Sequence, residues 1–443
     1  MSDTSPRPAA HDPEAGSPDR LRVALGSTVG TTIENYDFLA YGTAAALYFG
    51  PAFFPGDNAL FSTLAAFGTL GVGFAMRPIG GIIGGHVGDR IGRKPVLVGA
   101  LLLMGAATVG IGLLPTYEQV GILAPILLVL LRLLQGIGFG AEWGGAILMT
   151  FEHAPRRRRG FYSAIPQSGV PLGLLLANVA FLLSAGLDDH LAWRVPFLCS
   201  AVLIVAGILI RMKVSESPEF EEAQQQDELV RSPVLEVLRR DWRTVLRAIA
   251  LRLAETGGFY VTVTYLLSYL QENELATRGV ALTGIVLASA IGVFGTPLFG
   301  ALSDRVGRRP VYLAGCVLTT LYGVPLFLMM NTGDAVVIVI GFVIALAVAH
   351  DSLAGVQASW FSELFDTRTR TSGASLGYQG SAALSGFIPF IATALAAALD
   401  WVGVALLFSA VGVIGAVGVA VTRDTWGPAE RRAAALPLRG RSG

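Results

Sequence analysis

GHVGDRIGRK at Gly85–Lys94 and GALSDRVGRR at Gly300–Arg309 decide how this chain is read. Each is a short polar run set between long apolar stretches. A Gly, four residues to an Asp, a basic residue, a Gly and a basic pair recur in register, 215 residues apart (304 − 89). A second echo follows each loop in the same order, Glu152 to Arg159 and then Glu363 to Arg370. The chain is therefore two related halves, and internal repeats in an apolar chain are a mark of membrane transporters, whose solute sites lie where the repeats meet.

Composition points the same way. Of 443 residues, 53% are hydrophobic and only 14% charged, and the mean hydropathy is +0.60. A soluble domain carries about 25% charged residues. Apolar stretches of spanning length fall at residues 21–48, 59–87, 95–114, 119–151, 160–185 and 193–213, and again at 244–271, 280–302, 311–330, 334–364, 372–398 and 402–422. A bilayer core of about 30 Å takes about 20 helical residues, so the expected fold is an all-α polytopic membrane protein with twelve transmembrane helices in two six-helix bundles. Residues 1–20 read as a disordered tail, 21–213 as the first bundle, 214–243 as a polar linker, 244–422 as the second bundle and 423–443 as a second tail.

Of the 32 Lys and Arg residues, 27 fall in the tails and the even-numbered loops, which by the positive-inside rule makes both termini cytoplasmic. The zero formal charge leaves no basic surplus for a nucleic-acid footprint. Cys199 and Cys316 sit in apolar stretches of different halves, an arrangement that argues against a disulfide. Lysine is rare among the basic residues while Ala and Gly abound, which suggests a high-GC bacterial genome.

Three arginines, Arg77, Arg132 and Arg252, lie inside spans, as do Glu34, Asp37, Glu142, Glu255, His350 and Asp351. An ionisable group at a helix centre costs about 2.5–3.5 kcal/mol on insertion scales, so each is read first as functional, with an ion pair locking two helices as the alternative. Arg252 and Glu255, three apart, either neutralise each other along one helix face or face a ligand. Glu34 lies thirteen residues into the first span (34 − 21), about 20 Å along at 1.5 Å per residue. It shares a helix face with Asp37, and Tyr36 and Tyr41 are close by. Two carboxylates in a poorly hydrated cavity do not both ionise cheaply, so this pair is the expected proton site. His350 beside Asp351 is either a satisfied polar contact or an aid to the proton step. Buried guanidinium groups favour an anion, because they keep their charge and grip carboxylate with a planar fork.

Four stretches carry a resemblance: IENYDFLAYGTAAALYF at Ile33–Phe49, RPIGGIIGGHVGDRIGRK at Arg77–Lys94, LRLLQGIGFGAEWGG at Leu131–Gly145 and AHDSLAGVQ at Ala349–Gln357. From roughly Leu21 to Arg423 the chain resembles the metabolite:proton symporters of the major facilitator superfamily, nearest their shikimate-transporter branch. Asn35 departs from the bulky aromatic residue usual there. The resemblance implies proton-driven transport of a small polar metabolite across a bacterial cell membrane, with the proton gradient as energy source and no cofactor or metal. Arg132 stands in the RLLQG motif that resembles the one linked to proton transfer, and with Asp37 and Glu34 it makes the expected coupling site. Expected solute contacts are Arg77, Arg132, Tyr36, Tyr41, Glu142, Trp143, Gln167, Arg252, Glu255, Tyr260, Asp351 and Gln379. Asp89, Arg90 and Arg93, their echo Asp304, Arg305 and Arg308, and Arg159 and Arg370 are the expected cytoplasmic gate.

The solute is expected to be a carboxylate, with a zwitterionic osmolyte or an efflux role for a secondary metabolite as alternatives. No paired-histidine metal helix or Walker loop is present to support an enzyme.

Overall fold

Long apolar runs punctuated by Pro, Gly and Asp make the described residues helical almost throughout. The computed structural model describes residues 19–91, 93–142, 150–151, 154–212, 233–366 and 370–427. Most of the inter-half linker, both distal tails, Trp143, Gly144 and Gly145 lie outside the described residues. So do the side chains of Asp89, Arg90, Arg93 and Glu142.

The first half contributes α1 (Asp19–Ala44), α2 (Ala59–Ala75), α3 (Arg77–Ile91), α4 (Arg93–Gly112), α5 (Leu123–Glu142), α6 (Arg159–Gln167), α7 (Gly169–Ser184) and α8 (Arg194–Met212). The second contributes α9 (Trp242–Tyr260), α10 (Leu266–Glu272), α11 (Arg278–Val306), α12 (Arg308–Met330), α13 (Ala335–Val343), α14 (Asp351–Leu364), α15 (Arg370–Ser385) and α16 (Ile388–Ala420). Polar side chains start several of them. Asn58 caps α2, Thr277 caps α11, and Asp334 caps α13 by accepting from the Val336 and Val337 amides at 2.9 and 3.0 Å. Wide π turns extend α1 at Ala45–Phe49 and α9 at Val261–Tyr265, corresponding places in the two halves, and a third precedes α14 at Ile344–His350. Such turns concentrate at functional sites.

Nine stretches of the described residues are long and apolar enough to cross a bilayer. Their outer faces are bare hydrocarbon: Leu183 is 80% exposed, Val202 73% and Phe294 72%. Side chains so apolar and so exposed belong in lipid. The last stretch, Ser372–Ala420, runs through α15 and α16, and its backbone breaks at Asp400, where φ is 57°. The two halves meet along two seams, α2 and α3 against α15 and α16, and α6 and α7 against α11 and α14.

Candidate functional site

Glycines bring α5 against the α2–α3 segment almost backbone to backbone. A Cβ on Gly140 would stand 2.0 Å from the Arg77 carbonyl oxygen, one on Gly136 2.1 Å from that of Gly73, and one on Gly80 2.1 Å from that of Ile137. Gly73 also leaves room for the Arg132 side chain, since a Cβ there would lie 2.3 Å from Arg132 Nε. This close approach sets Arg77 and Arg132 side by side in an aromatic cage. Arg77 lies 3.7 Å from the Phe139 ring centroid and 5.1 and 5.2 Å from those of Phe38 and Phe74. Arg132 lies 3.9 Å from Phe38 and 4.0 Å from Tyr41. Guanidinium on a ring face is worth about 0.5–2 kcal/mol, enough to hold the two cations in place while leaving N–H groups free to bind.

The structure does not join Arg132 directly to Asp37. Arg132 Nη1 donates instead to Gln135 Oε1, and Gln135 Nε2 donates to Thr108 Oγ1 at 2.9 Å and to the Asp37 carbonyl oxygen at 3.3 Å. The Asp37 carboxyl group is fully buried, and neither oxygen has a hydrogen bond of ordinary geometry. The Thr108 and Ser200 hydroxyls adjoin it, but they donate to the carbonyls of Met104 and Phe197 at 2.9 and 2.8 Å. Glu34 is buried within electrostatic range of Arg77. Tyr36 turns to α8, donating to the Pro196 carbonyl at 2.7 Å, and Tyr41 shares a 2.5 Å hydrogen bond with Thr69.

The second half completes the cluster across the seam. Arg252 stacks 3.1 Å from the Tyr378 ring centroid, donates to Gln357 Oε1 at 2.8 Å and lies 3.4 Å from Glu255 Oε2. His350 bridges onward, Nε2 to Glu255 Oε1 at 3.0 Å and Nδ1 to Asp351 Oδ1 at 2.9 Å. Tyr260 packs edge-on against Phe74 with centroids 5.0 Å apart and lies within electrostatic range of Arg77, Arg132 and Arg252. Arg77 Nε, Arg132 Nε and Nη2, Arg252 Nε and both amide atoms of Gln379 are buried without a hydrogen-bond partner among the described residues. Gln167 is buried at the end of α6.

Two sets of contacts bridge the seam on either side of this cluster. At the end bearing the repeated loop, Asp304 accepts from the backbone amides of Gly160 and Phe161, 2.8 and 2.9 Å away at the start of α6. Arg308, fully buried, holds Asp304 at 2.7 Å and Glu363 at 3.1 Å. Arg159 and Arg370 both lie over the Phe151 ring, at 4.5 and 5.4 Å, and Arg305 points outward. At the opposite end Arg278 pairs with Asp189 at 2.6 Å and Thr63 donates to Glu272 at 2.8 Å.

Residues 38–388 match the family model described as Major Facilitator Superfamily. The chain is 40% identical over 414 residues to the shikimate transporter of Escherichia coli (strain K12), covering 91% of this chain and 94% of that one. The chain belongs to the major facilitator superfamily. It is 32% identical over 389 residues to the proline/betaine transporter of the same strain, covering 84% of this chain and 77% of the relative. Its fold matches the xylose transporter XylE of E. coli, in a partially occluded inward-open conformation, with a TM-score of 0.71 at 17% identity over 93% of this chain and 99% of that one. As a member of the superfamily the protein is a secondary transporter of a small solute, a multi-pass protein of the bacterial inner membrane, and not an enzyme.

Several residues of this transporter's core escaped the sequence reading. Gln135 and Gln357 are the hydrogen-bond partners of buried arginines, and each stands within a quoted motif, three residues after Arg132 and at the end of AHDSLAGVQ. The Arg278–Asp189 pair had one signal: Arg278 is one of only two basic residues on the side away from the repeated loops.

Proposed function

We propose that this protein is a proton-coupled symporter of a small carboxylate, built from twelve transmembrane helices in two six-helix bundles and working by alternating access. The nine apolar spans support this count: one of them divides at Asp400, and α1 and α9, each extended by a π turn, are read as the remaining two. The end bearing the repeated loops faces the cytoplasm, by the distribution of positive charge.

The observation that carries the solute class is the convergence of Arg77, Arg132 and Arg252 with buried, unpartnered guanidinium N–H groups. A carboxylate satisfies two such donors at once and balances the charge. Tyr260, Tyr378 and Gln379 supply ring faces and hydrogen bonds for the rest of a hydroxylated ring. The resemblance to a shikimate transporter supports this reading. The proline/betaine relatives favour a zwitterion as the second reading, with its carboxylate on the arginines and its cation on an aromatic face.

The Asp37 carboxyl carries the coupled proton. Both adjoining hydroxyls spend their protons on backbone carbonyls, so they can accept a hydrogen bond from a carboxylic acid but give none to a carboxylate. A solute carboxylate that takes Arg132 Nη1 releases Gln135, which reaches both Thr108 and the Asp37 backbone, and so transmits solute arrival to the proton site.

Uptake into proteoliposomes under an inward proton gradient tests the solute class, with shikimate, smaller monocarboxylates and dicarboxylates, proline and glycine betaine as the panel. Gradient-dependent accumulation of a carboxylate is expected. Accumulation of proline or betaine with no carboxylate moved removes the anion reading, and expulsion of preloaded solute under the inward gradient, or its accumulation under the reversed one, identifies a proton-driven exporter.

A further inference from the structure

We propose that Glu255, His350 and Asp351 form a second proton-binding site, in the half of the molecule that does not contain Asp37. The imidazole of His350 lies between two carboxylates, with Nε2 3.0 Å from Glu255 Oε1 and Nδ1 2.9 Å from Asp351 Oδ1. A neutral imidazole has one N–H. It can donate to one of these carboxylates, and its other nitrogen then sets a lone pair against carboxylate lone pairs unless a further proton lies between them. Holding both contacts therefore takes one proton beyond the neutral ring and two carboxylates, either as imidazolium or as a protonated carboxyl group.

Charge gives the same answer. All three residues are buried, at 6% exposure or less, and the ion-paired cation beside them is Arg252. One arginine against two carboxylates leaves one negative charge away from water; one added proton cancels it. Among the described residues, the other titratable groups that face the cluster are tyrosines: Tyr312 of α12 and Tyr260 of α9, with Tyr378 of α15 on the far side of Arg252. From α11 come Thr296 and the glycine surface of Gly292 and Gly295, where a Cβ would stand 2.6 and 3.2 Å from Asp351 Oδ2. Phe259 covers the His350 ring with centroids 4.7 Å apart. The two carboxylates take opposite edges of one ring, so they do not converge on a point where a metal ion would sit, and no His, Cys, Asp and Glu group among the described residues is arranged to hold one.

Arg252 links this site to the solute cluster. It is the only member that also lies on Tyr378 and within range of Arg77. A ligand drawing Arg252 toward the seam leaves Glu255 and Asp351 more dependent on the shared proton. The proposal concerns where a proton is held and does not rest on the identity of the solute.

The test needs no solute. Protein labelled with 13C and 15N in its histidines, in lipid nanodiscs at pH 7.5, gives five ring spin systems, and the one lost in His350→Gln is assigned to His350. Should that variant fail to fold, replacing His11, His86, His153 and His190 leaves His350 as the sole labelled ring. Infrared spectra of the same samples report protonated carboxyl groups. The expected result is either a His350 ring with both nitrogens protonated, reverting to a neutral ring in the Glu255→Gln, Asp351→Asn double variant, or a neutral ring with a protonated-carboxyl band that Glu255→Gln or Asp351→Asn removes. A neutral His350 ring together with no carboxyl band sensitive to either substitution overturns the proposal.

Discussion

Arg132 shows how one side chain is held ready without being neutralised. Its stem fits against Gly73, its face lies on Phe38 and Tyr41, and a single N–H is committed, to Gln135. Lysine at this position keeps the charge but loses the planar fork and the stacking. Arg132→Lys is expected to weaken carboxylate binding at least tenfold, about 1.4 kcal/mol, while expression and melting stay near the parent's; unchanged affinity by titration calorimetry removes Arg132 from the site. Gln135→Leu takes away the acceptor of one Arg132 N–H and the donor to Thr108. Leaving a buried polar group unsatisfied costs about 1–3 kcal/mol, so thermal melting of the purified variant is expected to fall, and an unaltered melting temperature counts against the bridge. The arginines and carboxylates were legible in the sequence because charge inside a span stands out. Their partners were not. A glutamine three residues from an arginine looks like any other glutamine, and the Glu255–His350–Asp351 chain forms only when helices nearly a hundred residues apart pack together.

At the scale of elements, the contact of α6 with α11 is the best-defined device. Asp304 caps the start of α6, where backbone amides and the helix dipole favour a carboxylate. The two helices approach through Gly160 and Gly300: a Cβ on Gly160 would lie 2.4 Å from the Gly300 carbonyl oxygen. Asp304→Asn and Gly160→Ala are each expected to shift the population toward opening at this end, Asp304→Asn by removing charge and Gly160→Ala by forcing the backbones apart. An added cysteine on the seam-facing side of α6 should then react faster with a thiol reagent supplied at this end. Equal labelling in variant and parent argues against a gate here. The repeated loop announced this region, and Asp304 does reach a helix N-terminus, whereas its partner Asp89 has a side chain outside the described residues. The break near residue 400 was legible as a gap between two apolar runs. The π turns were not, since one extra residue in a helical turn leaves no mark on composition.

Contacts between the halves bridge both ends of the molecule, Asp304 on α6 at one and Arg278–Asp189 and Thr63–Glu272 at the other. Alternating access requires that these latches not open together. Arg278→Ala is therefore expected to favour opening at the end away from the repeated loops, opposite in sense to Asp304→Asn. Spin-label distances across the two ends check this: each single variant should lengthen one distance, and lengthening of both in one variant contradicts a two-latch molecule.

Coupling is the property that needs all of these scales at once, and Asp37→Asn isolates it. Asparagine has nearly the shape of the protonated acid and cannot release a proton. In proteoliposomes given shikimate as the first carboxylate, the parent is expected to accumulate it under an inward proton gradient. Asp37→Asn is expected to exchange internal for external shikimate in counterflow yet not concentrate it, with binding that has lost its dependence on pH; by linkage, the parent must bind solute more tightly when protonated. Accumulation by Asp37→Asn equal to the parent's, with the same response to the gradient, contradicts the account.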